Sequence, residues 1–258
     1  MTTLAIGIDI GGTGIKGAVV DVDSGELVSE RVKVATPPGG EPDDIVAAVV
    51  AMADGFGDVA IGIPVGVCFP AVVLDGRTMS AANVSKRWVG LEAEKLFERA
   101  MKRDITFVND ADAAGVAEAR YGAAKGQPGL VILTTLGTGI GTAFLYNGTL
   151  IPNTELGHME LDGKDAEVRM SYAAKERRGL SWAQWAKRLQ GFYEKLEFLF
   201  SPTLFIVGGG VSKSEQEFLP LLSLSTPIVP AALRNNAGIL GAAALASDPS
   251  GFTTTGRG

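Results

Sequence analysis

A single cysteine, a single histidine and no long uninterrupted apolar run set the first limits on this sequence of 258 residues. One cysteine, Cys68, excludes an intramolecular disulfide and any multi-cysteine zinc site. The lone histidine, His158, has no cysteines with which to build a metal site. It reads either as a structural hydrogen-bonder or as part of a polar ligand-binding segment. Charged or polar residues interrupt every apolar run before it reaches the length of a membrane span. The N-terminus shows no basic region leading into an apolar core and cleavage site, so no secretory signal is expected, and the cytoplasm is the expected compartment. Positive charge is in deficit, with 23 Lys and Arg against 29 Asp and Glu and a formal net charge of −6. A general nucleic-acid binder is usually basic, so neither nucleic acid nor membrane is expected as a partner. Basic residues do gather at Lys86-Arg87 and through Arg169, Lys175, Arg177, Arg178, Lys187 and Arg188. These read as solvated faces or as a local basic groove.

Glycine is abundant, at 34 residues, and 46 % of the chain is hydrophobic. That composition suits one large or two modest domains with real cores. The informative glycines lie in Asp9-Ile10-Gly11-Gly12-Thr13-Gly14-Ile15-Lys16-Gly17. An alternating run, Leu4, Ile6, Ile8, Ile10, precedes this stretch, and Ala18-Val19-Val20 follows it, which predicts two strands joined by a glycine-rich turn. Consecutive backbone N–H groups in such a turn form an anion-binding nest. Thr13 adds a hydroxyl and Lys16 a point charge. Asp9 lies on the strand face opposite Leu4, Ile6 and Ile8 and could hold a metal-bound water. A tight hairpin without a ligand is the plainer alternative. The turn recurs, however: Gly12-Thr13-Gly14-Ile15-Lys16-Gly17-Ala18 has its counterpart in Gly137-Thr138-Gly139-Ile140-Gly141-Thr142-Ala143. Such self-similarity implies two related domains whose nests hold one polyanion from both sides.

Residues 4–34 read as three strands, turning at Asp23-Ser24-Gly25, and Thr36 to Gly40 as a loop. Asp43 or Asp44 is expected to cap a helix running through Met52, followed by a buried strand from Asp58 to Gly66. Leu91 to Arg103 reads as helix and Ile105 to Val108 as strand, leading through Asn109-Asp110 into an alanine-rich helix to Tyr121. Gly126-Gln127-Pro128-Gly129 punctuates the halves. Leu130 to Tyr146 repeats the strand–turn–strand pattern, with Asn147-Gly148 as a hairpin turn. Glu155 to Lys164 reads as polar and irregular. Trp182, Trp185, Ala186, Leu189, Phe192, Tyr193, Leu196, Leu199 and Phe200 sit at helical spacing, as a core face or a dimer face. A buried strand, Leu204 to Val207, runs into Gly208-Gly209-Gly210. Asn235 to Ala246 is a small-residue helix suited to close packing, and Ser250 to Gly258 is expected to be disordered.

Asp110 reads either as a helix N-cap or as a general base. A sugar hydroxyl has a pKa far above 7 and needs a positioned carboxylate to accept its proton as it attacks phosphorus. Phosphoryl transfer otherwise relies on positioning and charge neutralisation. Asn109 would orient the hydroxyl. Glu155, His158 and Glu160 or Glu167 suit a polyhydroxyl ligand, Asn83 is a further candidate, and Gly208-Gly209-Gly210 suits an adenosine or phosphate edge.

Taken together these segments resemble the ROK sugar kinases, within the hexokinase–actin–heat-shock ATPase superfamily. Asp9-Ile10-Gly11-Gly12-Thr13 is similar to the family's first phosphate motif, Leu136-Gly137-Thr138-Gly139 to the second and Val207-Gly208-Gly209-Gly210 to the adenosine motif. Asn109-Asp110 and Glu155-Leu156-Gly157-His158 match its sugar-binding and catalytic segments. Typical members continue with a cysteine-rich zinc loop, which Met159 to Glu167 replaces here, so zinc is not expected. Glu167 takes the place of the sugar-binding glutamate after that loop. The compact length, the missing cysteines, Ser80 to Trp88 and Asp162-Gly163-Lys164-Asp165-Ala166-Glu167 resemble the polyphosphate glucokinase branch. Relatives there phosphorylate glucose from inorganic polyphosphate or ATP, and some accept mannose.

The resemblance implies an α/β protein of two ribonuclease-H-like domains with a central cleft. Residues 1–110 would form the small domain, with the helix at about 235–247 packing back on it, and 111–234 the large one. Glucose would bind through Asn83, Asn109, Asp110, Glu155, His158 and Glu167, with Asp110 taking the proton of the 6-hydroxyl. Gly11, Gly12, Thr13, Lys16, Gly137, Thr138 and Gly139 would hold donor phosphates, and Gly208, Gly209 and Gly210 a nucleotide. Asp9 would place Mg²⁺ through water. Domain closure would exclude water, and polyphosphate would run along Lys86, Arg87, Lys164 and Arg169. A homodimer is also implied. The alternatives are an ATP-only hexose or N-acetylhexosamine kinase and a non-catalytic sugar sensor. Family repressors carry a DNA-binding region ahead of the first phosphate motif, which here begins at Asp9.

Overall fold

A computed structural model describes residues 2–81 and 83–248; the expected disordered tail, 250–258, lies outside them. The chain divides into two compact units, residues 1–117 with 236–258 and residues 118–235. The division falls inside a helix rather than at residue 110 or at the glycine–proline punctuation around residue 128. Among the described residues no helix is long and apolar enough to cross a membrane.

In the first unit, β1 (Leu4–Ile10) and β2 (Ile15–Asp21) form the expected hairpin. The third expected strand is two short pieces, β3 (Glu26–Leu27) and β4 (Val32–Val34), both paired to β2. Helix α1 spans Pro42–Asp54. Neither Asp43 nor Asp44 caps it; proline occupies the first helical position, where its missing N–H costs nothing, and both aspartates lie in the first turn. The strand expected from Asp58 is a short 3₁₀ turn, Gly57–Ala60, and β5 starts only at Val65, running to Phe69. A small hairpin, β6 (Val73–Leu74) and β7 (Arg77–Thr78), helix α2 (Ala93–Met101) and strand β8 (Thr106–Asn109) follow. Helix α3 (Asp110–Tyr121) continues from β8 without a break. The main sheet has the order β3-β2-β1-β5-β8, with β1 and β2 antiparallel and β5 and β8 parallel to β1.

The second unit repeats this plan. β9 (Leu130–Leu136) and β10 (Ile140–Tyr146) pair antiparallel, and β11 (Thr149–Ile151) follows through Asn147-Gly148, both at positive φ. The polar stretch after it is ordered. It holds a 3₁₀ turn, Leu156–His158, and a hairpin of β12 (Glu160–Leu161) and β13 (Lys164–Asp165). The turn of that hairpin is Asp162-Gly163, both at positive φ, an Asp-Gly signal that the sequence already carries. Then come α4 (Ala166–Met170), α5 (Tyr172–Arg177), α6 (Trp182–Phe200), β14 (Leu204–Gly208), α7 (Glu215–Phe218) and β15 (Ile228–Pro230). The sheet order is β11-β10-β9-β14-β15, with β14 parallel to β9 and β15 parallel to β14. The glycine-turn repeat is therefore the visible part of a repeat of whole sheets, the two-unit α/β architecture of the actin/hexokinase type.

Helix α6 opens with a capping box between Ser181 and Gln184. Trp185, Ala186, Leu189, Phe192, Tyr193 and Leu196 are buried in the core of its unit, whereas Leu199 is 49 % exposed and leaves the predicted face. The buried Glu118 carboxylate accepts backbone N–H groups of Ala123, Ala232 and Leu233. It thereby satisfies its own charge while holding the segment after β15.

The chain then returns to the first unit as α8 (Ala237–Ser247). A Cβ built at Gly7 would lie 1.9 Å from the Ile239 carbonyl oxygen, and one at Gly66 would lie 1.9 Å from that of Ala242. The helix sits on the sheet at a distance that only glycine permits.

Candidate active site

In the first unit, the Gly11 N–H donates to Gly14 O at 3.0 Å and closes the β1–β2 turn. The antiparallel register places Asp9 opposite Lys16, and Lys16 Nζ lies 3.0 Å from Asp9 Oδ2. Lys16 is thus neither a solvated turn residue nor an uncommitted phosphate ligand: cross-strand neighbours share a face, and this pair is half-buried. Cys68 Sγ lies 3.7 Å from Asp9 Oδ1. Burial first, and then the charges of Asp9 and Asp110, push the Cys68 thiol well above its usual range, so it stays protonated. Asn83 comes to the same turn: a Cβ on Gly12 would meet Asn83 Cβ at 2.8 Å.

At the junction of β8 and α3, Asn109 is the cap. Its Oδ1 accepts the N–H groups of Ala111 at 2.8 Å and Asp112 at 3.0 Å, and its Nδ2 donates to Ala71 O at 3.0 Å. A carboxamide can make four such bonds, so one N–H of Asn109 is left for a hydroxyl. The partly exposed Asp110 also accepts from Ala111 N at 2.8 Å.

In the second unit, Gly137 N donates to Gly139 O at 3.0 Å, which closes this turn over one residue fewer than the Gly11–Gly14 bond does in the first. Glu167, from the first turn of α4, reaches this turn. Its Oε2 accepts the Ile140 N–H at 2.8 Å, and a Cβ on Gly139 would lie 2.3 Å from that oxygen. Glu167 therefore braces the second glycine turn with one oxygen, and the other retains its acceptor capacity. The Glu155–His158 segment is stitched to β10: Thr142 Oγ1 donates to Thr154 O at 2.6 Å, and Leu156 N donates to Thr142 Oγ1 at 3.2 Å. Gly157 packs so tightly on Ile140 O that a Cβ would lie 2.0 Å away. Glu155, His158 and Glu167 thus gather around Ile140. Burial raises the Glu155 pKa, Glu167 adds to the rise, and His158 opposes it.

Asp165 escaped the sequence reading as a site residue. Its Oδ1 caps α4 through the Val168 N–H, and its Oδ2 lies 2.8 Å from His158 Nδ1. A carboxylate there favours a proton on Nδ1, which leaves Nε2 as the ring's other hydrogen-bonding atom. The hydrogen bond to Asp165 is the main cause of a raised His158 pKa, with Glu167 and Glu155 adding to it. The His158 contribution to the pair is therefore complete below the ordinary imidazole pKa and is lost as the pH rises through the raised value, while the Asp165 contribution is lost as the pH falls through its own lowered value. Asp165→Asn is expected to move the His158 titration to lower pH. This can be followed by NMR, since the chain has one histidine; an unchanged midpoint would refute the pairing.

The glycines after β14 divide. Gly209 has φ 84°, and a Cβ there would lie 2.6 Å from Leu136 O, so its role is to bring the ends of β14 and β9 together. Gly208 makes ordinary contacts and Gly210 has open space beside it. The basic residues divide too. Lys86 Nζ donates to Ala81 O, and Arg87 pairs with Glu41. Lys175 is buried with its ammonium 4.1 Å from the Trp182 ring centroid, a packed cation and not part of a solvated cluster. Among the described residues no group of three or more His, Cys, Asp or Glu is placed to hold a metal ion.

The repeated sheets, each ending its first hairpin in a glycine turn, define an actin/hexokinase-type sugar-kinase architecture. The chain belongs to the ROK family, whose profile matches residues 5–179. It is 47 % identical over 238 residues to a polyphosphate glucokinase of Mycobacterium tuberculosis (strain CDC 1551 / Oshkosh), covering 92 % of this chain and 89 % of that protein. The structure of an inorganic polyphosphate/ATP-glucomannokinase from Arthrobacter sp. strain KM matches with a TM-score of 0.90 and 51 % identity, over 93 % of this chain and 97 % of that one. A ROK family glucokinase from Streptomyces griseus, solved with glucose and AMPPNP, matches with a TM-score of 0.78 and 26 % identity, over 94 % and 99 %.

Proposed function

We propose that the protein is a glucokinase that transfers a phosphoryl group from inorganic polyphosphate or ATP to the 6-hydroxyl of glucose, and accepts mannose as well. The relatives named for this reaction support it. The observation that carries it is that Asn109 takes two first-turn N–H groups as the main cap of α3, with the partly exposed Asp110 carboxylate directly beside it at the end of the strand.

Glu155, His158 and Glu167 would bind the sugar hydroxyls, helped by Asn83 and the remaining N–H of Asn109. Asp110 would accept the 6-hydroxyl proton as that oxygen bonds to phosphorus and the donor's bridging oxygen leaves with its electron pair. The N–H groups of Gly11, Gly12, Thr13, Gly137, Thr138 and Gly139 would hold the donor phosphates, with Gly208 and Gly210 beside a nucleotide. The Asp9–Lys16 pair fits a donor that arrives as a magnesium complex: one carboxylate suits a cation held mainly by water and phosphate, and the ammonium suits the phosphate. Mg²⁺ would supply neutralisation of charge developing on the donor. We also propose a homodimer and a cytoplasmic location. Phe198, 80 % exposed on α6, is an apolar residue a second copy would cover.

The test is glucose 6-phosphate formation with Mg²⁺ and either ATP or ATP-free polyphosphate. Turnover with both is expected. Turnover with ATP alone would reduce the protein to an ATP-dependent hexose kinase, and none with any sugar would sink the kinase reading.

A further inference from the structure

The second unit contains a concavity of about 460 Å³ that the proposed reaction does not use. Its floor is apolar, from Leu161, Met170 and Leu180, and its rim carries Arg169, Lys187 and Arg188 against one carboxylate, Asp162. Gln184, Lys187, Arg188 and Gly191 line it from α6 at positions i, i+3, i+4 and i+7, which put them on one helix face over about 10 Å of axis. Gly191 adds no side chain, so that face stays open.

The two arginines are crowded and fixed. Arg169 donates to Leu161 O at 3.1 Å and to Asp162 Oδ2 at 3.2 Å. Arg188 donates to Arg169 O at 3.2 Å. Partial burial, then repulsion from Arg178 and Arg169, depresses the Arg188 pKa. Among the described residues Arg178, Lys187 and Arg188 stand in no ion pair. A protein of net charge −6 thus holds like charges together over a low-dielectric floor, an arrangement that focuses positive potential. Arg169 lies two residues beyond Glu167 in α4, and Glu167 braces the second glycine turn. The pocket and that phosphate turn are therefore joined by one short helix.

We propose that this pocket is a secondary anion subsite that takes distal phosphates of a linear polyphosphate whose reacting end lies at the glycine turn. It rests on the reading that polyphosphate is a donor. It adds a length criterion: only a chain long enough to span from the turn to the pocket occupies both, and tripolyphosphate and ATP are the short donors that test it. Lys86 and Arg87, tied to Ala81 and Glu41, are not required.

The experiment compares the wild type with a Lys187→Gln/Arg188→Gln double variant, and with Lys125→Gln as an exposed control in the same unit. KM is measured for long-chain polyphosphate, tripolyphosphate and ATP, and equilibrium binding for long-chain polyphosphate. The double variant is expected to raise the long-chain KM, and weaken long-chain binding, at least about tenfold. Its ATP kinetics should be unchanged, which also shows that it is folded, and Lys125→Gln should be neutral. Equal losses with all donors, an unchanged long-chain KM, or the same loss in Lys125→Gln would overturn the subsite while leaving polyphosphate as a donor. A wild type that neither uses nor binds polyphosphate would overturn both.

Discussion

Asp110→Asn is expected to lower kcat for hexose phosphorylation by about 10²–10⁴-fold, the usual contribution of a positioned general base, with little change in the KM of the sugar. The amide keeps the size and one acceptor oxygen but cannot take a proton at neutral pH. Because Asn109 supplies the main cap of α3, the substitution should leave thermal stability nearly unchanged. Asn109→Ala provides the contrast. It removes two bonds to the first turn and the bond to Ala71 O, and is expected to cost about 1–2 kcal/mol of stability, the normal range for a lost N-cap. Steady-state kinetics and thermal unfolding on both variants separate the roles. If Asp110→Asn kept wild-type kcat, or lost activity only by unfolding, Asp110 would not be the base.

The second large effect is structural. Gly241→Ala would place a methyl 1.7 Å from the Ala113 carbonyl oxygen. Neither partner is a flexible side-chain end; one backbone must move, and α8 is held on the sheet by similar contacts at Gly7 and Gly66. Overpacking of this kind exceeds the usual 1–3 kcal/mol, so a loss of upwards of about 3 kcal/mol is expected, or roughly 6–12 °C in the midpoint of the first unit. Ala113 lies one helical turn beyond Asp110, so surviving protein should also show reduced kcat. An unchanged melting curve would mean that α8 does not sit where the structure puts it.

Much of the site was legible because its signals are local. The two glycine turns stood out from flanking alternation, and the same alternation located β1, β2, β9 and β10. The spacing of Trp185, Leu189, Phe192 and Leu196 located α6 and its core face. Errors arose where local signals compete. Asp43 and Asp44 look like caps, but Pro42 starts the helix. The residues from Asp58 look like strand, but the chain makes a 3₁₀ turn until it can pair with β1 at Val65. The hairpin at Asp162-Gly163 was readable from its turn, yet its strands are two residues each and give no periodicity.

The order of residue types along the chain determined by itself that two glycine turns recur in related halves, that Asn109-Asp110 follows a buried strand, and that a chain with one cysteine has no intramolecular disulfide. Hydrogen-bonding periodicity and turn stereochemistry act over a few residues, so a sequence displays them directly. Tertiary structure alone decided what each polar atom touches: Lys16 faces Asp9 across a hairpin, Glu167 reaches back 27 residues to the Ile140 N–H, Asp165 takes His158 Nδ1, and Lys175 folds under Trp182. It also turned one part of a charge-rich run into a pocket while burying another. Those outcomes depend on which surfaces meet after the sheets form, and a carboxylate or ammonium carries no local mark of the partner it will find.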